Sequence, residues 1–270
     1  YMLANSLKLI DFRNNAYSEI EFTDGVNVIY GENAAGKTNI LEAIFYFASG
    51  KSFRGCKDKE LIRFGCDAAA AYLGFSDRQK SAEMGVKLYK NHRREFERDG
   101  NRITKLSEYL GAFRAVVFTP DHLALVKGQP ENRRRFIDLA ICQSYPRYVS
   151  YLNEYNRVLA QKNALLRSEA EDSFKYDMIS VYNEKMAFSA GAISFNRRRF
   201  LKQLEETAIL EHYEISGGSE ELSIRYNGCF EEEPSGAEET RKAMLLYLNG
   251  KAETEIARRM CVFGVHKDDF

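Results

Sequence analysis

The chain has 270 residues, enough to bury a substantial core as one large domain or two of ordinary size. Apolar residues make up 44% and charged residues 29%, a globular balance that leaves little room for extensive disorder. Lys plus Arg number 39, as do Asp plus Glu, so any nucleic-acid surface has to come from local clustering and not from net charge.

In chain order, residues 7–12 and 19–22 predict short strands separated by a polar turn at 13–15. Residues 26–30 (VNVIY), β-branched and apolar behind the turn pair Asp24-Gly25, predict a third strand. A glycine-containing loop follows, then an apolar helix over 37–48 that Gly50 stops. Between 68 and 103 the pattern is that of strands: 83–89 and 93–98 pair, and Asp99-Gly100 is a tight turn. Thr104 is placed to cap a short helix through Leu110, and 115–118 predicts a buried strand before the texture changes at Pro120.

From 130 to 213 charged and apolar residues recur at three- and four-residue spacing, with Pro146 the interruption, which predicts a helical lobe. Gly217-Gly218 turns the chain into a predicted strand at 221–226, and Glu231, Glu232 and Glu233 with Pro234, Ser235 and Gly236 read as a loop. Two short helices and a final strand at 261–265 follow. The pattern divides the chain into an α/β lobe with a β-rich part at 1–118 and a mainly helical lobe at 119–250. Residues 251–270 are expected to return, incomplete, to the first lobe. Tyr1 before Met2 reads as an addition, and a C-terminal part is expected to be missing beyond Phe270.

The strongest motif is GENAAGKT at 31–38, the pattern G-x-x-x-x-G-K-[ST] between an apolar segment and an apolar helix. Gly31 and Gly36 let the backbone fold into a nest whose N–H groups face phosphate oxygens, and Glu32, Asn33, Ala34 and Ala35 supply the loop between them. The helix opening at Lys37 adds its positive end. Lys37 is assigned to the β and γ phosphates, and the Thr38 hydroxyl to Mg²⁺. Asn39 follows as a support of the loop, so the expected cofactors are ATP and Mg²⁺. No apolar strand ends in paired carboxylates. His266, Asp268 and Asp269 follow 261–265 at the wrong spacing, so no catalytic residue is assigned within the chain.

Around this loop the residues resemble the RecF family of bacterial DNA replication and repair proteins, ABC-type ATPases related to structural-maintenance-of-chromosomes heads. The segments that carry the resemblance are LKLIDFRN, VNVIYGENAAGKTNILEAIFYFASGKSFR, DKELIRFG, VVFTPDHLALVKGQPENRRRFID, FNRRRF and FGVHKDDF, in the family's order along nearly the whole chain. The resemblance implies a P-loop NTPase of ABC-ATPase head type, α/β, with a β-rich subdomain and an inserted helical lobe. It implies an ATP-dependent homodimer that clamps single-stranded and gapped duplex DNA in recombinational repair and replication, works with recombination mediator proteins, and has no membrane role. A cytoplasmic setting agrees with the lack of a long apolar run or signal-peptide pattern. The family's serine-glycine signature and acid-ended strand are absent here, and Lys267 and Val265 stand at the family's arginine and proline positions. The chain alone is therefore expected to bind nucleotide without turning it over, the full-length protein being a DNA-stimulated ATPase.

Several cations are candidates for phosphate contact. Arg54 follows the first helix and could reach DNA or nucleotide. Lys87, Lys90, Arg93 and Arg94, with His92, make the densest basic patch of the first lobe, interleaved by Tyr89 and Phe96. Arg133, Arg134 and Arg135 open a helix, where the dipole disfavours cations, while Arg197, Arg198 and Arg199 fit a solvated face or ion pairs as well as a DNA stripe. The five cysteines, odd in number and without a C-x-x-C pair, read as reduced thiols. Two competing readings remain: a P-loop small-molecule kinase, and a nucleotide-gated DNA-binding module without useful hydrolysis.

Overall fold

The computed structural model describes residues 2–77, 80–230 and 234–270, which leaves Tyr1, Arg78, Gln79 and the acidic run Glu231, Glu232 and Glu233 outside the described residues. The chain forms two compact units. The first runs to Thr119 and includes Cys142–Pro146; the second holds Pro120–Ile141 and Arg147–Phe270.

Alternation builds the first unit. In β1 (Met2–Phe12), Leu7 and Leu9 are fully buried between exposed or half-buried neighbours; in β3 (Ala68–Asp77), Ala69, Ala71, Leu73 and Phe75 take the same face. With β2 (Asn15–Glu21), β4 (Lys80–Tyr89), β5 (Glu95–Arg98) and β6 (Asn101–Ile103) these make a six-stranded sheet in the order β2-β1-β3-β4-β5-β6. Every pairing in it is antiparallel. The predicted hairpins stand: the first turns at Arg13 and Asn14, and the turn between β5 and β6 holds Asp99 at φ 50° and Gly100 at φ 75°.

Helix α1 (Lys37–Ser49) buries Ala43, Phe45, Tyr46 and Phe47 and ends at Gly50, whose left-handed φ of 64° lets its N–H reach the Tyr46 carbonyl. The short helix α2 (Leu106–Tyr109) inserts Tyr109 between Phe96 and Phe47, with ring centroids 4.1 and 6.5 Å away. Its expected cap is not used: Lys105, not Thr104, precedes the first turn, and no side chain caps it.

The second unit is helical: a short α3 (Ala124–Lys127), then α4 (Pro130–Ser144), whose last turn belongs to the first unit, α5 (Tyr148–Arg167), α6 (Asp172–Ser216), α7 (Ala237–Asn249) and α8 (Ala252–Arg258). A second break, at 168–171, joins the one at Pro146. Deep between α5, α6 and α8, Lys162 meets Glu255 at 2.6 Å and Asn183 at 2.6 Å, with both charged side chains fully buried. Glu255 also accepts the N–H groups of Val262 and Phe263, and Asn183 bonds Asn249 at the end of α7.

Four predicted strands are not strands. Residues 26–30 and 115–118 run as irregular backbone, with Val26 89% and Val116 93% exposed. Their composition suits a sheet, but a strand exists through its hydrogen-bonded neighbours, and the described sheet pairs without them. Residues 221–226 are also irregular, and 261–265 lead into a 3-10 turn at Val265–Lys267. Among the described residues of this region one bridge, Asn227 to Asp269, forms. Residues 251–270 belong to the helical unit and do not return to the first lobe. Within that unit the Arg197 guanidinium binds the Val265 carbonyl, Asp138 and Asp268, and so ties the end of the chain to α4 and α6.

His266 lies half-buried in this unit with Tyr155 Oη 2.7 Å from Nδ1 and the Cys261 carbonyl 3.3 Å from Nε2. Burial lowers its pKa to about 4, so the folded state keeps it neutral. The unfolded chain protonates near the ordinary histidine value of about 6.5, so the unfolded state binds more protons between those values. Stability contributed by neutral His266 is complete above that window and falls as pH drops through it. Unfolding midpoints in urea between pH 7 and pH 5 should therefore decline more steeply for the wild type than for His266→Gln. Equal slopes would show that the histidine is not buried neutral.

Candidate nucleotide site

The loop 31–38 acquires its shape from three left-handed or unusual backbone positions: Gly31 at φ 148°, Ala34 at φ 66° and Gly36 at φ 97°. Helix α1 starts directly behind it. Its N-cap is Gly36, no side chain caps it, and its first turn carries no acidic residue. The Asn39 N–H donates to the Gly36 carbonyl at 2.9 Å, and the N–H groups of Lys37 and Thr38 before it are placed to meet an anion, with the positive end of the helix behind them. The Lys37 ammonium donates to the carbonyls of Gly31 and Glu32, at 2.7 and 2.6 Å, so it lies back across the loop it serves. Thr38 is exposed beside it, and Asn33 and Ala35 complete the exposed rim. The donor set suits a polyphosphate, and the Thr38 hydroxyl suits a hard cation such as Mg²⁺.

Beneath the loop lies a polar cluster that motif reading missed. Glu42 is fully buried in α1, where it accepts a forked pair from Arg13 (2.8 and 2.7 Å) and a 2.5 Å hydrogen bond from Ser52. Burial works to raise this carboxyl, but the hydrogen bonds from Arg13 and Ser52 outweigh it and hold it below its ordinary value. Arg13 also donates to the Glu60 carbonyl and to Cys56 Sγ, at 2.9 and 3.0 Å. Asn14, next in the chain, donates to the Ala34 carbonyl and accepts from Asn39. The available signal was Glu42 itself, an acid between Leu41 and Ala43 on an otherwise apolar helix face.

Arg54 joins this site: its guanidinium lies 3.1 Å from Asn39 Oδ1 and 3.6 Å from Glu42 Oε2. The other basic candidates divide. Arg93 is exposed, with no hydrogen bond or ion pair among the described residues. Lys87 pairs with Glu97 at 3.1 Å and Lys90 with Asp67 at 3.5 Å, both at the surface. Arg94 does not present itself to solvent as expected. Its Nη1 reaches Tyr46 Oη, the Gly50 carbonyl and Asp58, and its guanidinium packs 4.9 Å from the centre of the Phe96 ring. It fastens β5 to the end of α1, and Phe96 is core.

In the helical unit Arg133 forks onto Asp269 and also donates to the carbonyls of Leu125 and Gly128, while Arg134 donates to the Asp268 carbonyl. Both guanidinium groups are thus paired internally, and Arg135 also has interactions of its own. Asp268, buried against Arg197, Tyr226 and Cys229, has its pKa raised by that burial. With both acids engaged, the segment has no open carboxylate pair. None of the five cysteines is joined in a disulfide.

Comparison with known proteins agrees with this geometry. Residues 6–223 match the family described as AAA domain. The DNA replication and repair protein RecF of Clostridium acetobutylicum is 34% identical over 269 residues, covering 100% of this chain and 72% of that protein. The protein of the same description from Geobacillus kaustophilus is 36% identical over 278 residues, covering 99% and 72%. Among solved structures, one described as the recombination mediator protein RecF-ATPrS in the RecFOR pathway superposes with a TM-score of 0.92 at 28% identity. A RecF-ATP structure of the same pathway gives 0.91, and each match covers 99% of this chain and 72% of the other.

Proposed function

Since the chain belongs to the RecF family of DNA replication and repair proteins, we propose that it binds ATP with Mg²⁺ through 31–38 and grips DNA in recombinational repair and replication. The observation that carries this reading is the open α1 N-terminus behind a glycine-shaped loop, with Lys37 lying across that loop. Phosphate oxygens take the N–H groups of the loop and first turn, and Lys37 exchanges its two carbonyl partners for the β and γ phosphates. The Thr38 hydroxyl would hold Mg²⁺, which would supply charge neutralisation for the phosphates. The kinase alternative finds no support in the relatives.

The finer reading is an ATP-dependent homodimer that clamps single-stranded or gapped duplex DNA together with recombination mediator proteins, in the cytoplasm. No helix among the described residues is long and apolar enough to cross a membrane. On this reading DNA-stimulated ATP hydrolysis belongs to proteins of the relatives' full length, of which this chain covers 72%. On the same reading this chain binds ATP without turning it over, because it carries neither the serine-glycine signature nor an acid-ended strand. A titration of a fluorescent gapped duplex at two salt concentrations, with and without Mg²⁺-ATP, tests the clamp. Tighter, steeply salt-dependent binding with ATP is expected. DNA affinity indifferent to ATP and to Lys37→Ala would instead mark a passive module.

The basic hairpin gives a paired expectation. Arg93→Ala should weaken DNA binding uniformly across sequences and lower the salt slope by about 1, with no change in stability. Arg94→Ala should instead cost about 2 kcal/mol of stability, since it removes charge-assisted hydrogen bonds at a half-buried anchor. Thermal unfolding and DNA titration of both variants separate the roles, and a destabilised Arg93→Ala with normal DNA affinity would reverse them.

A further inference from the structure

The phosphate loop does not keep its shape unaided. Ala34 holds φ 66°, a left-handed conformation that costs a residue with a Cβ about 1 kcal/mol or more. A non-glycine residue stays there when its surroundings fix it. The contact that meets it comes from the turn between β1 and β2, where Asn14 Nδ2 donates to the Ala34 carbonyl at 3.2 Å. Through Oδ1 the same amide accepts from Asn39 Nδ2 at 2.7 Å, and from Asn15 at 3.4 Å.

Asn14 also explains why Gly36 tolerates no side chain from that direction. A Cβ at Gly36 would lie 2.7 Å from Asn14 Oδ1 and 3.0 Å from Nδ2. The amide occupies the space that the glycine leaves, so the two residues are complementary. An asparagine in a turn ordinarily bonds its own backbone nearby. Here two of the bonds reach residues 20 and 25 positions away, on opposite sides of Gly36.

The neighbouring residue strengthens the grip. Arg13 holds Glu42 while Asn14 holds Asn39, so adjacent residues of one turn seize α1 at two positions three residues apart, on one face. Arg54 closes the ring by lying against both Asn39 and Glu42. The geometry points to Asn14 as a positioning residue for nucleotide binding. The turn between β1 and β2 braces the loop in its left-handed form, and ATP affinity depends on that brace as well as on Lys37 and Thr38. This rests on the reading of 31–38 as the nucleotide site.

The test is calorimetric titration with Mg²⁺-ATP, each variant paired with thermal unfolding. Asn14→Ala should weaken ATP about tenfold, the effect of one lost supporting hydrogen bond, with the unfolding temperature nearly unchanged. Asn14→Asp should weaken it further, because a carboxylate would face the Ala34 carbonyl and add negative charge beside the phosphates. Ala34→Gly placed in the Asn14→Ala background should restore part of the affinity, since glycine adopts the left-handed conformation without help. A role confined to folding would lower the unfolding temperature without this rescue, and that result overturns the proposal. Should Asn14→Ala fail to fold, Asn39→Ala removes the same support from the helix side, and unchanged affinity there also overturns it. If the wild type binds no ATP, the function reading and the brace fall together. Wild-type binding with Asn14→Ala and Asn14→Asp unaffected removes the brace alone.

Discussion

Lys37→Ala will weaken Mg²⁺-ATP binding about a hundredfold or more, which is roughly 2.7 kcal/mol, and leave the fold intact. Lys37 provides the one ammonium of the loop, and the phosphates it would meet concentrate negative charge at the α1 N-terminus. Its present partners are the carbonyls of Gly31 and Glu32 at the surface, where water replaces a lost donor, so stability should change by less than about 0.5 kcal/mol. Calorimetry gives the affinity and circular dichroism the unfolding curve. Retained ATP affinity in a folded Lys37→Ala variant would mean that 31–38 is not the phosphate site.

Lys162→Met should destabilise the protein more than any of the other substitutions, costing about 3–5 kcal/mol. Lys162 and Glu255 are both fully buried, and the ammonium sits between Glu255 and Asn183. Removing the cation leaves a carboxylate in the interior without its counter-charge, a far larger penalty than the loss of an exposed pair. Glu255→Gln combined with Lys162→Met should recover much of the loss, because the neutral amide still offers an oxygen to the N–H groups of Val262 and Phe263. Urea unfolding followed by helical circular dichroism measures both. A double variant no better than Lys162→Met would show that the charge is not what makes the single change costly. The same pair helps align α5, α6 and α8, so the single variant is also expected to loosen the helical unit.

Much of the site was legible because it is local. The spacing of Gly31, Gly36, Lys37 and Thr38, the stop at Gly50 and the Asp99-Gly100 turn all depend on backbone freedom within a few residues, and the structure reproduces them. The helical run also survived intact, apart from its second break at 168–171, since its three- and four-residue spacing is a property of one helix face. Residues 26–30 and 115–118 failed for the opposite reason. Their side chains favour a pleated surface, but pairing depends on what lies alongside, and adjacency in a sheet is not written in a single segment.

By itself the sequence determined the phosphate loop and its helix, the hairpins of the first unit, the helical character of the second and the family to which the whole belongs. Tertiary structure alone decided which charges are spent. Arg93 and Arg94 are neighbours of identical chemistry, yet one is exposed and the other is held by Tyr46, Gly50 and Asp58. Glu42 is an ordinary acid in the sequence and becomes the buried anchor of the loop because Arg13, 29 residues earlier, is folded onto it. An ion pair depends on distance and burial, and residues far apart in the chain acquire both only when the fold brings them together.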